Sequence, residues 1–120
     1  MRILIVDDSK AMRGLVRRAL RQAGFGSHDF SEAANGKEAL DQIHQQAPDV
    51  VLSDWNMPEM SGIELLTALR GEECSVKFGF VTSEGTPEMK QAAIDAGASF
   101  FVTKPFTPEA LEEALSGVIG

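Results

Sequence analysis

The sequence is poor in cysteine, tyrosine and proline, and it has no long apolar run. Its 120 residues include one cysteine, Cys74, five prolines and no tyrosine. A single thiol excludes an internal disulfide and fits a reducing compartment. No apolar stretch approaches the roughly 20 residues that a membrane-spanning helix needs, and the N-terminus carries no basic-then-apolar leader. We therefore expect one cytoplasmic domain over residues 1–120, mainly monomeric, with no membrane contact and no output domain.

Positive charge is also scarce, and it is unevenly placed. The net charge is −7, from 18 acidic and 11 basic residues, which argues against binding to nucleic acid. After Gly71 only Lys77, Lys90 and Lys104 are basic, so the second half is predicted to present an acidic surface. Four arginines fall on the first predicted helix, at positions 13, 17, 18 and 21. We interpret them as a solvated helix face, with a docking surface for a phosphodonor domain as the alternative.

Apolar runs alternate with segments of helical period along the whole chain. This pattern is typical of a parallel sheet covered by helices on both faces. It predicts a doubly wound α/β fold with five helices and five strands, the strands at 2–6, 28–33, 49–53, 77–82 and 100–103.

Capping residues and breakers set the predicted helix bounds. The first helix is predicted to begin after Ser9 and end at Gly24, with Leu15 among its inward residues. The second runs from Asn35-Gly36 to a stop before Pro48, and the third from Ser61 to Gly71. Thr86-Pro87 and Thr107-Pro108 start the last two. The fourth is predicted to bury four residues, Met89, Ala92, Ala93 and Ile94.

Charged residues stand where three of the apolar runs stop. Asp7 and Asp8 follow the first run, Asp54 follows the third, and Lys104 follows the last. Because the carboxyl ends of neighbouring parallel strands converge in one crevice, we expect these side chains to meet there. Close carboxylates repel one another unless a cation holds them together. Mg²⁺ prefers such hard oxygen ligands, so the sequence predicts a magnesium site.

Three carboxylates offer more anionic oxygens than a magnesium ion needs. One of them can therefore attack a phosphoryl group and form an aspartyl-phosphate. The metal and Lys104 would neutralise the phosphoryl oxygens during transfer. Thr82, at the end of the fourth predicted strand, could donate its hydroxyl to a third oxygen.

Taken together, the charged blocks resemble the receiver domain of bacterial response regulators, most closely the single-domain, CheY-like chemotaxis regulators. The resemblance covers essentially all 120 residues. It implies the flavodoxin-like strand order 2-1-3-4-5. The blocks are Asp7-Asp8, Asp54-Trp55-Asn56-Met57-Pro58, Ser61-Gly62, Val81-Thr82-Ser83-Glu84 and Lys104-Pro105-Phe106.

The resemblance implies a role for each residue of the site. Asp54 would be the phosphoacceptor. Asp8 and Asp54 would bind Mg²⁺ directly with the backbone carbonyl of Asn56, and Asp7 would bind it through water. The phosphoryl group would be bound by Lys104 and Thr82.

Further roles in switching and timing also follow from the resemblance. Phe101 would swing inward as Thr82 moves. Asn56 and Glu84 would tune how fast the phosphoryl group is lost, and the Lys104-Pro105 peptide bond would be cis. By resemblance we predict a short-lived phosphoaspartate.

Three positions depart from the chemotaxis pattern. Phe101 stands where tyrosine is typical, Ser83 where alanine or glycine is frequent, and Phe100 where a small or polar residue is common. We hypothesise that Phe100 and Phe101 together form part of an apolar docking patch flanked by acidic helices. Gly79 is a further anomaly, because glycine weakens a strand unless a neighbour must approach closely.

The resemblance implies a stand-alone regulator of a two-component system rather than a turnover enzyme. A histidine kinase or phosphotransfer protein would donate the phosphoryl group. A protein target would bind the face made by the fourth helix, fifth strand and fifth helix, with the flagellar switch in chemotaxis as the leading candidate. Alternatives are a phosphorelay shuttle, a phosphate sink, or a Mg²⁺-dependent phosphohydrolase. The last lacks its expected Asp-x-Asp and cap.

Overall fold

Five strands and five α-helices alternate along residues 1–119, the part of the chain that this computed structural model describes. The strands are β1 (Arg2–Val6), β2 (Asp29–Ala33), β3 (Val50–Ser53), β4 (Lys77–Thr82) and β5 (Phe100–Thr103). The helices are α1 (Lys10–Leu20), α2 (Gly36–Gln45), α3 (Gly62–Gly71), α4 (Pro87–Asp95) and α5 (Pro108–Ile119). All strand pairs are parallel, in the order β2-β1-β3-β4-β5. The predicted fold class and strand order are confirmed.

Two hydrophobic cores lie on opposite faces of the sheet, because successive strand residues point to opposite sides. In β1, Ile3 and Ile5 pack with α1 and α5, whereas Leu4 and Val6 pack with α2, α3 and α4. Strands buried on both faces are continuously apolar, which is why β1 and β3 contain no alternation. No helix of the described residues combines the length and hydropathy that crossing a membrane requires.

The first helix ends at Gly24 as predicted, but one of its predicted inward residues is exposed. Its regular α-helical bonding runs from Lys10 to Leu20, the backbone stays helical at Arg21, and Gly24 ends the last turn with a left-handed φ of 101°. Leu15 is 52% exposed, so its predicted inward position is wrong. The buried stripe runs through Val16, Ala19 and Leu20 instead, which leaves Leu15 at the margin beside the β5–α5 connection.

The fourth helix buries less than the sequence predicted. Only Ala93 is fully buried, whereas Ala92 is exposed and Ile94 is 62% exposed. The prediction for these two residues is wrong because α4 covers the β5 edge of the sheet, where a narrow stripe is enough to fill the contact. Ile94 therefore contributes an exposed apolar surface.

Gly79 leaves the space that the Phe100 ring occupies. A side chain at Gly79 would overlap the Phe100 ring, which lies over the β4 backbone. Phe100 packs on the α1–α5 face of the sheet, and Phe101 packs on the opposite face. The two rings lie on opposite sides of β5, because consecutive residues of one strand point to opposite sides, and both line the same concavities along this edge of the sheet. The docking patch of the two rings stays a prediction.

The strand register brings the ends of four strands to one edge of the sheet. Val6 is opposite Ser53, and Thr82 is opposite Thr103. The residues that follow β1, β3 and β5 therefore emerge side by side above this carboxyl edge. Asp7, Asp54 and Lys104 are among them.

Candidate functional site

Three carboxylates converge at the carboxyl edge of the sheet, as the sequence predicted. One oxygen from each of Asp7, Asp8 and Asp54 lies within 4.8 Å of the others. Asp7 is 3% exposed, Asp54 is half-buried and Asp8 is exposed. The cluster is thus a graded pocket, with one buried wall and one face open to solvent.

Among the described residues, Lys104 supplies the only cation that pairs with the carboxylates of these acids. Its Nζ lies 3.0 Å from Asp7 Oδ2 and 3.7 Å from Asp54 Oδ2. The Lys104 side chain is 12% exposed, so water screens these pairs only weakly. Its backbone N–H donates to the Thr82 carbonyl at 2.7 Å, and the Lys104–Pro105 peptide bond is cis. The ammonium therefore partly neutralises the buried wall of the pocket.

The Asp54 carboxylate is oriented by a hydrogen bond, and its anionic form is destabilised by burial. Its Oδ1 accepts a 2.8 Å hydrogen bond from the Trp55 N–H, which leaves Oδ2 facing Lys104. Burial raises the pKa of Asp54, and the Asp7 charge adds to that rise. The Lys104 ammonium, the Trp55 amide and the Thr82 hydroxyl lower the pKa and offset only part of it. The Asp54 anion is therefore less stable than in water, so an added positive charge would stabilise it.

The other predicted site residues surround this group. Thr82 is 1% exposed at the end of β4, and its Oγ1 accepts a long 3.4 Å contact from the Glu84 N–H. At the exposed rim, Asn56 Nδ2 donates to Glu84 Oε1 at 2.9 Å. Asn56 and Glu84 thus form one polar bridge across the mouth of the pocket rather than two independent side chains.

Aromatic rings connect the pocket to α4. The Trp55 ring centroid lies 4.8 Å from that of Phe80 and 6.4 Å from that of Phe101. Phe80 and Phe101 lie 5.9 Å apart, and Lys90 Nζ of α4 lies 6.0 Å from the centre of the Phe101 ring. A movement of Phe101 would therefore change the surroundings of both Trp55 and α4.

Two residues near the site, Arg13 and Glu32, were not predicted to contribute to it. Arg13 is not on a solvated face, because its Nη1 donates to the Asp7 carbonyl at 2.6 Å and its Nε pairs with Glu32 Oε1 at 2.8 Å. Glu32 also pairs with Arg17, at 3.0 Å. The signal in the sequence is two arginines one turn apart, which can share a single acid on the neighbouring edge strand.

The donor set suits a hard divalent cation. Carboxylate oxygens are the ligands that Mg²⁺ prefers, and an octahedral ion places them roughly 3 to 4 Å apart. The three oxygens lie within 4.8 Å of one another, so two of them can bind one ion directly while the third reaches it through water. Thiolate and imidazole ligands, from cysteine and histidine, are absent from this cluster of described residues, which argues against a zinc or copper centre.

Comparison with known proteins identifies the family. The family model described as the response regulator receiver domain matches residues 3–116. The chain belongs to the response regulator receiver family. Receivers of this kind are signalling domains of two-component systems, and they bind Mg²⁺ at an acidic pocket such as the one formed by Asp7, Asp8 and Asp54.

Among receivers, the chain is similar to chemotaxis proteins over its full length. A chemotaxis protein CheY homolog of Campylobacter jejuni is 38% identical over 123 positions, which cover 100% of this chain and 93% of the relative. Chemotaxis response regulator CheY4 of Vibrio cholerae is 37% identical, with a TM-score of 0.84 and coverage of 98% and 97%. The receiver of the Mycobacterium tuberculosis regulator NarL is 30% identical, with a TM-score of 0.85 and coverage of 99% and 96%. The relatives therefore suggest chemotaxis.

Proposed function

We propose that this receiver accepts a phosphoryl group on Asp54, with Mg²⁺, from a histidine kinase or phosphotransfer protein. The modified domain then signals by binding another protein, in chemotaxis. The observation that supports this most directly is the meeting of Asp7, Asp8, Asp54 and Lys104 at one edge of the sheet. The chemotaxis assignment rests on the names of the full-length relatives.

In this proposal Asp8 and Asp54 bind the ion directly, with the backbone carbonyl of Asn56, and Asp7 binds it through water. A bound Mg²⁺ supplies positive charge that stabilises the phosphoryl oxygens during transfer. Asp7 is the natural water-mediated ligand because its carboxylate is already engaged by Lys104 and by the Ser9 N–H at 2.9 Å. Asp8, which is exposed, is free to turn toward an ion.

The transfer step uses the free oxygen of Asp54. Oδ2 attacks the phosphorus of a phosphohistidine, so the new O–P bond forms as the P–N bond breaks and the imidazole leaves with its electron pair. Oδ1 stays bound to the Trp55 N–H, which holds the carboxylate plane in place. The Lys104 ammonium, 3.7 Å from Oδ2, is close enough to pair with the arriving phosphoryl oxygens.

The change at Asp54 reaches the surface through two neighbours. Thr82 lies buried beside the carboxylate. Its hydroxyl only accepts from the Glu84 amide, so its O–H can move to donate to a phosphoryl oxygen. Phe101 then follows into the vacated space and alters the surface of α4, β5 and α5, where exposed Ile94 offers an apolar contact. A target protein, with the flagellar switch as the first candidate, binds this surface.

The deciding experiment uses Trp55, which is the only tryptophan of the chain. Its fluorescence is measured with Mg²⁺ alone and with Mg²⁺ plus beryllofluoride, in the wild type and in Asp54→Asn. We expect Mg²⁺ to quench the wild type and beryllofluoride to change it further, with no second change in Asp54→Asn. An equal beryllofluoride response in both proteins would contradict phosphorylation at Asp54.

Two further measurements separate the possible outputs. A pull-down of switch proteins with and without beryllofluoride tests the chemotaxis role. Binding that is unaffected by the activation state would refute it, and rapid phosphoryl exchange with a histidine phosphotransfer domain would favour a shuttle.

The lifetime of the phosphoaspartate is predicted to be short, and a lifetime of hours with Mg²⁺ would contradict that prediction.

A further inference from the structure

Asp8 has no side-chain partner among residues 1–119. Within residues 1–119, no hydrogen bond or ion pair from another side chain holds its carboxylate, and the residue is exposed. A carboxylate without side-chain partners takes its position from the backbone that carries it. The question is therefore what fixes the peptide between Asp7 and Asp8.

Two contacts fix that peptide. On its far side, the Ser9 N–H donates to Asp7 Oδ1 at 2.9 Å, which closes a tight turn around Asp8. On its near side, Arg13 Nη1 donates to the Asp7 carbonyl oxygen at 2.6 Å. Because a peptide group is planar, holding this carbonyl also fixes the direction in which the chain enters Asp8.

Arg13 is itself firmly anchored. Its Nε lies 2.8 Å from Glu32 Oε1, and its side chain is only 14% exposed. Glu32 is the fourth residue of the edge strand β2, and its backbone carbonyl accepts a hydrogen bond from Gln42 Nε2 of α2 at 2.9 Å. One planar guanidinium thus connects β2 to the end of β1, a task that its forked donors suit.

The charge of Arg13 does not explain why it is placed here. A guanidinium beside the pocket would repel a divalent cation, and Glu32, which Arg13 shares with Arg17, offsets only part of that repulsion. What remains is geometric: a donor held at a fixed distance from the Asp7 carbonyl. Arg17 offers a comparison, because it shares the Glu32 carboxylate at 3.0 Å but lies one turn further along α1 and donates nothing to Asp7.

We propose that Arg13, anchored by Glu32, is a positioning residue that sets the place of the Asp8 carboxylate for the divalent cation. This inference rests on the proposed function, since it concerns affinity for the ion that the pocket is proposed to bind. It assigns to β2, the edge strand at the opposite end of the sheet from β5 and Lys104, a role in the strength of the metal site.

The test compares Arg13→Met with Arg17→Met, which make the same substitution at two arginines that share one acid. Mg²⁺ affinity is measured by titration of Trp55 fluorescence, and stability by urea unfolding of the same samples. We expect Arg13→Met to weaken Mg²⁺ binding about tenfold, the effect typical of residues that orient metal ligands. Arg17→Met should bind Mg²⁺ within about twofold of the wild type, even with a similar loss of stability.

A second measurement needs no metal. Hydrogen exchange of the Asp8 and Ser9 amides, followed by NMR without Mg²⁺, should accelerate in Arg13→Met and not in Arg17→Met. If Arg13→Met does not fold, Arg13→Lys replaces it, because an ammonium cannot bind Glu32 and the Asp7 carbonyl together. Its Mg²⁺ affinity should fall in the same direction.

The two proposals fail in different ways. A wild-type protein that does not respond to Mg²⁺ would overturn the proposed function, and the amide exchange would still decide the role of Arg13. A wild type that binds Mg²⁺, together with an Arg13 variant that binds it equally well or more tightly, would overturn the positioning role alone. Equal loss of affinity in the Arg13 and Arg17 variants would overturn it as well.

Discussion

Replacing Lys104 with methionine tests the electrostatics of the pocket in two opposite directions. Methionine keeps an unbranched stem but removes the ammonium that pairs with Asp7 at 3.0 Å and Asp54 at 3.7 Å. Without metal, the protein should then be less stable, because two neighbouring anions lose their counter-charge. With Mg²⁺, the same pocket should bind the ion more tightly, because a competing positive charge has gone.

The structure sets the size of both effects. Breaking a buried ion pair by removing one partner typically costs 3–5 kcal/mol. We expect the lower end, about 3 kcal/mol, because the Asp7 carboxylate keeps its hydrogen bond from the Ser9 N–H. The ammonium repels a dication by at least about 1 kcal/mol even with the screening of water. Its loss should therefore tighten Mg²⁺ binding by about tenfold, equivalent to roughly 1.4 kcal/mol.

Urea unfolding followed by Trp55 fluorescence measures both effects, once with a chelator and once with saturating Mg²⁺. The control is Lys77→Met, since Lys77 is an exposed residue at the opposite end of β4. Mg²⁺ should stabilise Lys104→Met more than it stabilises the wild type, because binding to the folded state adds to stability. A loss below about 1 kcal/mol with chelator, or equal Mg²⁺ stabilisation of both proteins, would refute this reasoning.

Three other predictions follow from single contacts. Gly79→Ala should lower the free energy of unfolding by about 1–3 kcal/mol, because the new methyl group overpacks against Phe100. Adding Phe100→Ala to the same chain should recover part of that loss. Strictly additive effects of the two substitutions in a double-mutant cycle would contradict the contact. The folded state raises the pKa of Asp54, so stability is lost as the pH rises above the ordinary pKa of a carboxyl group. Without metal, Asp54→Asn should therefore stabilise the protein at neutral pH. Below the ordinary carboxyl pKa, the unfolding curves of the two proteins should coincide. Asn56→Ala and Glu84→Ala each remove one side of an exposed hydrogen bond, so each should change the free energy of unfolding by less than about 0.5 kcal/mol. Both should alter the decay rate of phosphorylated Asp54. Because the two residues act as one unit, the double variant should decay at the same rate as the single variants.

The sheet and its acidic edge could be predicted from the sequence because both depend on local signals. The strands at 2–6, 77–82 and 100–103 have the predicted bounds, since continuous apolar runs mark strands that are buried on both faces. Asp7 and Asp54 follow such runs directly, so the geometry of a parallel sheet brings them together.

What the sequence could not show depends on side-chain direction and on partners far along the chain. Arg13 and Glu32 are 19 residues apart, and no local pattern reveals that their side chains meet. Phe100 and Phe101 are adjacent in sequence but lie on opposite faces of the sheet. Leu15 fits a helical period equally well on either side of the buried stripe, and only the packing of α1 against α5 decides that it lies outside.

Direct detection of the modified residue tests the central claim. The protein is incubated with Mg²⁺ and a small-molecule phosphodonor, reduced with borohydride to trap any acyl phosphate, and mapped by peptide mass spectrometry. We expect a Mg²⁺-dependent reduced residue at position 54 alone, and none in Asp54→Asn. An unmodified Asp54 under these conditions, or modification at Asp7 or Asp8 in its place, would contradict the account.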